Sequence, residues 1–310
     1  MLDNVVGVYH FLTDRAPQNV PVVEPKPRHS NPWRKDGKAI VAKVKAGEDL
    51  RASIEGAISL LGDIGQVVHS GDKVMVKPNF NSPDPFPAST DLTFLSAVIE
   101  LLKGTGARVA IGESAGGMWR PTRTVYRKLG LYDFARELGV GLIAFDDPTT
   151  DWVRIKINGD YLDAVTMPRP AYEADKLIYL PCMKTHNLAG FSGALKLAFG
   201  FVHPGERRGF HISHLQQKLA EVNLSWQPDL IIMDGRKAFV SGGPDKGELA
   251  EPGVILASGD QVAIDAEAIK IILGYQGNNK LPPDPWQLPQ IVTALKHNLG
   301  TSEGNYTVVE

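Results

Sequence analysis

An α/β fold, with a mostly parallel central sheet, helices on both faces and a small antiparallel hairpin excursion, is what this 310-residue sequence predicts. Three observations carry that expectation. Short β-branched runs alternate with stretches whose apolar residues recur at helical spacing, as in right-handed strand–helix–strand crossovers. KLIYLP (176–181), DLIIMD (229–234) and GVILAS (253–258) are short, largely apolar runs, the reading of strands buried on both faces. Finally, VRIKINGDYLDAVTM sets Asn158-Gly159 between two alternating runs, which specifies a tight hairpin.

Taken in order, residues 1–37 form an extended N-terminal arm. Its segment 15–36 carries five prolines and no apolar period, while Val20, Val22, Val23 and Trp33 suit it to dock. AIVAKV (39–44) is a strand, and EDLRASIEGAISLLG (48–62) a helix that stops at glycine. KVMVKP (73–78) is a strand closed by proline. Ser89 or Thr90 caps the helix DLTFLSAVIELLKGTG, which ends at Gly104 or Gly106. ARVAIGE (107–113) is a strand, a helix follows around 122–138, and GLIAFD (141–146) is the next strand. Residues 38–275 read as one α/β domain of one or two lobes, and 276–310 as a C-terminal helix and tail.

Composition excludes several classes. Apolar residues at 43% and charged residues at 22% support a packed core rather than disorder. A net charge of −2 lacks the basic excess of a nucleic-acid binder. One cysteine, Cys182, excludes an intramolecular disulfide and any cysteine-ligated iron–sulfur cluster built from this chain alone. The start has no basic n-region, and no run approaches the ~18 apolar residues of a membrane span. The expectation is a soluble, cytoplasmic protein with no membrane and no nucleic-acid partner.

In open parallel sheets, ligands bind beyond the carboxyl ends of the strands. KVMVKP ends in Lys77-Pro78-Asn79, and ARVAI in Gly112-Glu113-Ser114. KLIYLP leads into Lys184-Thr185-His186, DLIIM into Asp234, and GVILAS into Gly259-Asp260 with Asp265 a turn further on. A helix cap or a surface charge explains any one of these, but their recurrence across five strands favours a shared site. Residues 184–218 hold five basic residues against Glu206, and four of the eight histidines. Residues 229–267 hold eight acids against three bases. Such segregation fits an anion site beside metal or acid/base carboxylates, and equally two surface segments that neutralise each other.

The candidate ligand-binding residues are Lys77, Asn79, Glu113, Ser114, Thr185, Lys196, Gly242 and Gly243, the last two from the turn SGGPDKG (241–247). His186 is the candidate general acid/base, tuned by a neighbouring carboxylate, with Lys184 and Asp234 beside it in the catalytic set. His211 and His214 fall on one face if a helix runs through them. Asp234, Asp265 and His214 are the candidate ligands of a divalent metal. Neither GxGxxG nor GxxxxGK[ST] is present.

Gly112-Glu113-Ser114-Ala115-Gly116 matches the nucleophile elbow of serine hydrolases. Pro121 interrupts the helix that should follow, no oxyanion loop precedes it, and the triad histidine would have to be His297.

Six segments in order, GDKVMVKPNF, VAIGESAGG, LPCMKTHNLAGFSGALKLAFGFV, DLIIMDG, SGGPDKG and ILASGDQVAIDAEA, resemble the domain-of-unknown-function family 362 over roughly residues 38–273. The resemblance implies a compact α/β fold and no assigned reaction. Many relatives carry ferredoxin-like cysteine clusters, absent here, and read G-A-x-K-N where this chain has Lys196-Leu197. The leading expectation is an enzyme acting on a small anionic, phosphorylated or carboxylated molecule, with a divalent metal as the open cofactor. The alternatives are a non-catalytic ligand-binding protein serving a redox partner, and the serine hydrolase. A homodimer is the other protein partner left open.

Overall fold

The computed structural model describes residues 2–310. Eight strands form the continuous path of the central sheet, in the spatial order Tyr306–Val309, Lys38–Lys45, Val254–Ser258, Leu230–Gly242, Lys176–Tyr179, Lys73–Lys77, Arg108–Glu113 and Gly141–Ala144. The five strands from Leu230–Gly242 to Gly141–Ala144 run parallel. Val254–Ser258 is antiparallel to both its neighbours.

Strand periodicity explains why both faces carry helices. Val74 and Val76 point into one core while Met75 points into the other, and Ile178 and Leu180 oppose Leu177 and Tyr179 in the same way. Helices Leu50–Leu61 and Leu92–Gly104 cover the first face, and Gln261–Leu273 and Pro289–Lys296 the second. The expected hairpin, Trp152–Lys156 with Ala164–Pro168, packs on that second face. No helix among the described residues is long and apolar enough to cross a membrane.

Several local expectations are corrected. Asp91, not Ser89 or Thr90, caps Leu92–Gly104, accepting from the Phe94 amide at 2.9 Å. Thr90 instead accepts the Asn79 amide at 2.8 Å, so its hydroxyl shapes the turn after Lys77. The helix expected around 122–138 is two, Thr122–Lys128 and Leu131–Leu138, divided at Gly130, whose φ of 73° stops the first. The arm is not extended throughout, because Leu2–Thr13 is helical. The remainder docks: Val22–Val23 pairs with the hairpin, and Trp33 is buried. The C-terminal segment is more than helix and tail, since Tyr306–Val309 adds a strand beside Lys38–Lys45.

The antiparallel strand matters most. Because Val254–Ser258 runs against its neighbours, Gly259 and Asp260 emerge at the sheet edge opposite the other strand ends. There Asp260 caps Gln261–Leu273 through the Val262 and Ala263 amides. An apolar run shows that a strand exists but not which way it points.

A cationic cavity at the strand ends

Lys73–Lys77 and Arg108–Glu113 are adjacent parallel strands, so their last side chains emerge side by side. Lys77 Nζ lies 2.6 Å from Glu113 Oε2, and both residues are buried. Lys77 also donates to the Pro78 carbonyl at 2.8 Å. Glu113 accepts the amides of Phe80 at 2.9 Å and Ser114 at 2.7 Å. Its carboxylate thereby ties both strand-end turns together. Gly200 passes so close that a Cβ there would meet Lys77 Cε at 2.6 Å and Glu113 Oε1 at 2.7 Å.

Above this pair lies a cavity of about 230 Å³ lined by Lys77, Asn79, Glu113, Ser114, His186 and Lys196 from the sequence-derived set. Arg120, Arg207, Asn81, Ser192, Phe199 and His211 complete the chemically distinctive part of its wall. Glu113 is the single acid of the lining, and Lys77 already neutralises it.

The other wall cations are partnered, with Lys196 the exception. Arg120 pairs with Asp146 at 3.1 Å and with Asp14. Arg207 is buried and spends its guanidinium on the carbonyls of Val202, Gly200, Ser114 and Ala115 at 2.9–3.3 Å. Burial pushes its pKa down to about 10. Among the described residues, the Lys196 side chain has no hydrogen-bond or ion-pair partner. Burial, and then the positive charge of Lys184, push its pKa down to about 7. The hydroxyls of Ser114 and Ser192 are buried on the cavity wall without a partner.

His186 ends the strand Cys182–His186, and its Nδ1 faces the amides of Leu188 and Ala189, both at 3.1 Å. An Nδ1 that accepts these bonds leaves the proton on Nε2. The carboxylate expected beside it is absent: its charged neighbours are Lys196, Lys184 and His211, and burial with those cations pushes its pKa down to about 2. The ring is neutral across the physiological range.

The rest of the sequence-derived set is placed elsewhere. Lys184 is buried and donates to the Ala88 carbonyl. Thr185 Oγ1 donates to the Phe239 carbonyl at 3.1 Å. Gly242 and Gly243 have φ of 81° and 57°, and Gly243 is pressed against the Thr185 carbonyl. Their loop carries Asp245, whose Oδ1 receives Asn81 Nδ2 at 3.4 Å at the cavity wall. Asp234 is bound through both oxygens to Arg236, at 3.0 and 2.8 Å.

Asp265 accepts the amides of Ala194 at 2.6 Å and Leu195 at 3.0 Å, capping the turn that carries Lys196. Burial pushes its carboxyl up to about 7. His214 has a φ of 54° after the helix Pro204–Ile212 has ended, so it shares no helical face with His211; its ring stacks on Tyr161 at 4.5 Å. Asp234, Asp265 and His214 are thus not gathered. Among the described residues, Asp160, Glu221 and His297 do bring three ligand-type atoms together. There the Glu221 oxygens already accept the amides of Asp160, Tyr161 and Leu162.

Arg120 and Ser192 went unsingled in the sequence because nothing in their spacing marks them. Arg207 was legible only as part of a basic segment; its place beside Ser114 depends on the return of helix Pro204–Ile212.

A doubly covered, mainly parallel sheet whose strand ends open on one small cationic cavity defines an α/β protein. The chain belongs to the family described as a domain of unknown function, DUF362, whose model matches residues 74–270. It is similar to the thylakoid-associated protein sll1697 of Synechocystis, at 28% identity over 70% of this chain and 68% of that protein. Among solved structures it is similar to the lactate racemase apoprotein of Thermoanaerobacterium thermosaccharolyticum, with a TM-score of 0.44 and 13% identity. That likeness covers 81% of this chain, which spans 60% of the racemase.

Proposed function

We propose that the cavity is a receptor for a small anionic metabolite, phosphorylated or carboxylated. The observation that carries this reading is the partnerless Lys196 beside two partnerless buried hydroxyls, Ser114 and Ser192. Buried hydroxyls without partners are costly, and an oxyanion accepting from both relieves that cost while it pairs with Lys196. Neutral His186 adds an Nε2–H donor, and Arg207 and Arg120 add positive potential from the wall. The approximate size suits a small metabolite.

The hydrolase reading of Ser114 has the weaker support. Its Oγ meets no base, and His297 is engaged by Asp160 at 3.1 Å and Glu221 at 3.5 Å.

Titration calorimetry with inorganic phosphate, pyrophosphate and malonate on the wild type and Lys196→Met tests the receptor. At least one anion binds the wild type, and the variant binds it about 10- to 100-fold more weakly, as expected for loss of a charged hydrogen bond. Equal binding by the two proteins, or no binding of any anion, overturns the reading.

A further inference from the structure

We infer that Lys196 is a nucleophilic amine, forming a Schiff base with the carbonyl carbon of a small anionic aldehyde or ketone held in the cavity. The inference rests on the anion-receptor reading and names the substrate class within it, oxoacids and phosphorylated carbonyl compounds. Among the described residues the Lys196 amine has neither an ion pair nor a hydrogen bond, and it lines a cavity whose other cations are already engaged.

The groups facing it come from several elements. Lys77 and Lys184 approach from the sheet, Arg207 from the helix Pro204–Ile212, and Asp245 from the 242–247 loop. His186 and His211 also act on it or are acted on by it. Burial, and then Lys184, Lys77 and Arg207 against the one acid Asp245, disfavour an ammonium there, so the free amine is available near neutrality, as imine chemistry needs. Its backbone is held in place, because Asp265 grips the two preceding amides.

The step balances within the cavity. The Lys196 amine adds to the carbonyl carbon, and both amine hydrogens leave with the carbonyl oxygen as one water. His186 Nε2–H and the hydroxyls of Ser114 and Ser192 are the donors on the wall for the oxygen that departs. Arg207, hydrogen-bonded only to backbone carbonyls, supplies positive potential for the carboxylate or phosphate of the same molecule.

The test incubates the full-length protein with pyruvate or dihydroxyacetone phosphate and then borohydride, followed by intact and peptide mass spectrometry. The expected result is a gain of the probe's mass less one oxygen, located on Lys196 and lost in Lys196→Arg, which keeps the charge. Calorimetry with lactate and glycerol 3-phosphate, which lack the carbonyl, is run in parallel. Binding of these without trapping at Lys196 overturns the Schiff base and leaves the receptor standing. Absence of both overturns the two together, and adducts scattered over exposed lysines overturn the Schiff base. Trace acetylation with acetic anhydride gives a readout independent of the probe. Lys196 should gain reactivity through about pH 7, well below the ordinary lysine value of ~10.4; a profile at that ordinary value overturns the inference.

Discussion

Lys77 Nζ and Glu113 Oε2 stand 2.6 Å apart with side-chain exposures of only 1% and 3%, at the ends of two neighbouring parallel strands. Burial lowers the lysine pKa even against the attraction of Glu113. A buried pair of this kind contributes little net stability while intact, but breaking it leaves one charge uncompensated. Glu113→Gln should therefore destabilise the protein by about 3–5 kcal/mol, read from the urea midpoint at constant m-value. Lys77→Met combined with Glu113→Gln should cost less than the sum of the two single changes, because made together they leave no buried charge unpaired. A double variant as unstable as the sum of the single ones would show that the two side chains act independently.

Gly200 shields the same pair from the cavity side. Its Cβ would collide with Lys77 and Glu113, so Gly200→Ala should cost about 1–3 kcal/mol through displacement of packed groups. Gly209, with nothing within 4 Å of its Cβ, is the control, and Gly209→Ala should be tolerated or mildly stabilising. Thermal melts of the two variants decide this, and equal melting temperatures would refute close approach at position 200.

Anion affinity should fall as pH rises through about 7, because Lys196 loses its proton there. An anion beside the amine favours the charged form, so binding should take up protons just above that pH. Calorimetry in buffers of different ionisation enthalpy measures the uptake, and Lys196→Met should abolish it. The same depressed pKa sets a stability slope. The unfolded chain holds the lysine proton more tightly, so folding stability should rise with pH from about 7 towards the ordinary lysine value of ~10.4. Lys196→Met should flatten that slope, and an unchanged slope would place the titration elsewhere.

Asp265 works through the two amides it caps, which lead directly into Lys196. Asp265→Asn replaces one acceptor with a donor facing an amide, at a cost of about 1–3 kcal/mol. Dialysis against a chelator should leave the melting temperature unchanged, since Asp265 is committed to these amides and Asp234 to Arg236. A fall on chelation, restored by a divalent ion, would return metal binding to the mechanism.

Much of the fold was legible because local pattern dictates it. Continuous apolar runs such as KLIYLP read as strands covered on both faces; the hairpin expected from Asn158-Gly159 also forms, but its turn closes over Asp160 and Tyr161, where the Gly159 N–H donates to the Leu162 carbonyl at 2.8 Å. Lys77, Glu113 and Ser114 were legible as strand-end residues because parallel order follows from the crossover rule. Thr185 and Gly243 read in the sequence as ligand-binding candidates from a strand end and a turn, and only the folded loop presses one against the other.

By itself the sequence determined where the main core strands and helices lie, which residues close the parallel strands, and that no cysteine chemistry beyond Cys182 is available. Tertiary structure alone decided direction and partnership. It turned Val254–Ser258 antiparallel, carrying Asp260 to the far edge, and surrounded His186 with cations. It also gave Glu113, Asp234 and Asp265 to Lys77, Arg236 and two amides, leaving Lys196 without a partner. The physical reason is range: periodicity and capping act within a few residues, whereas charge pairing and desolvation depend on groups that meet only after the chain has closed.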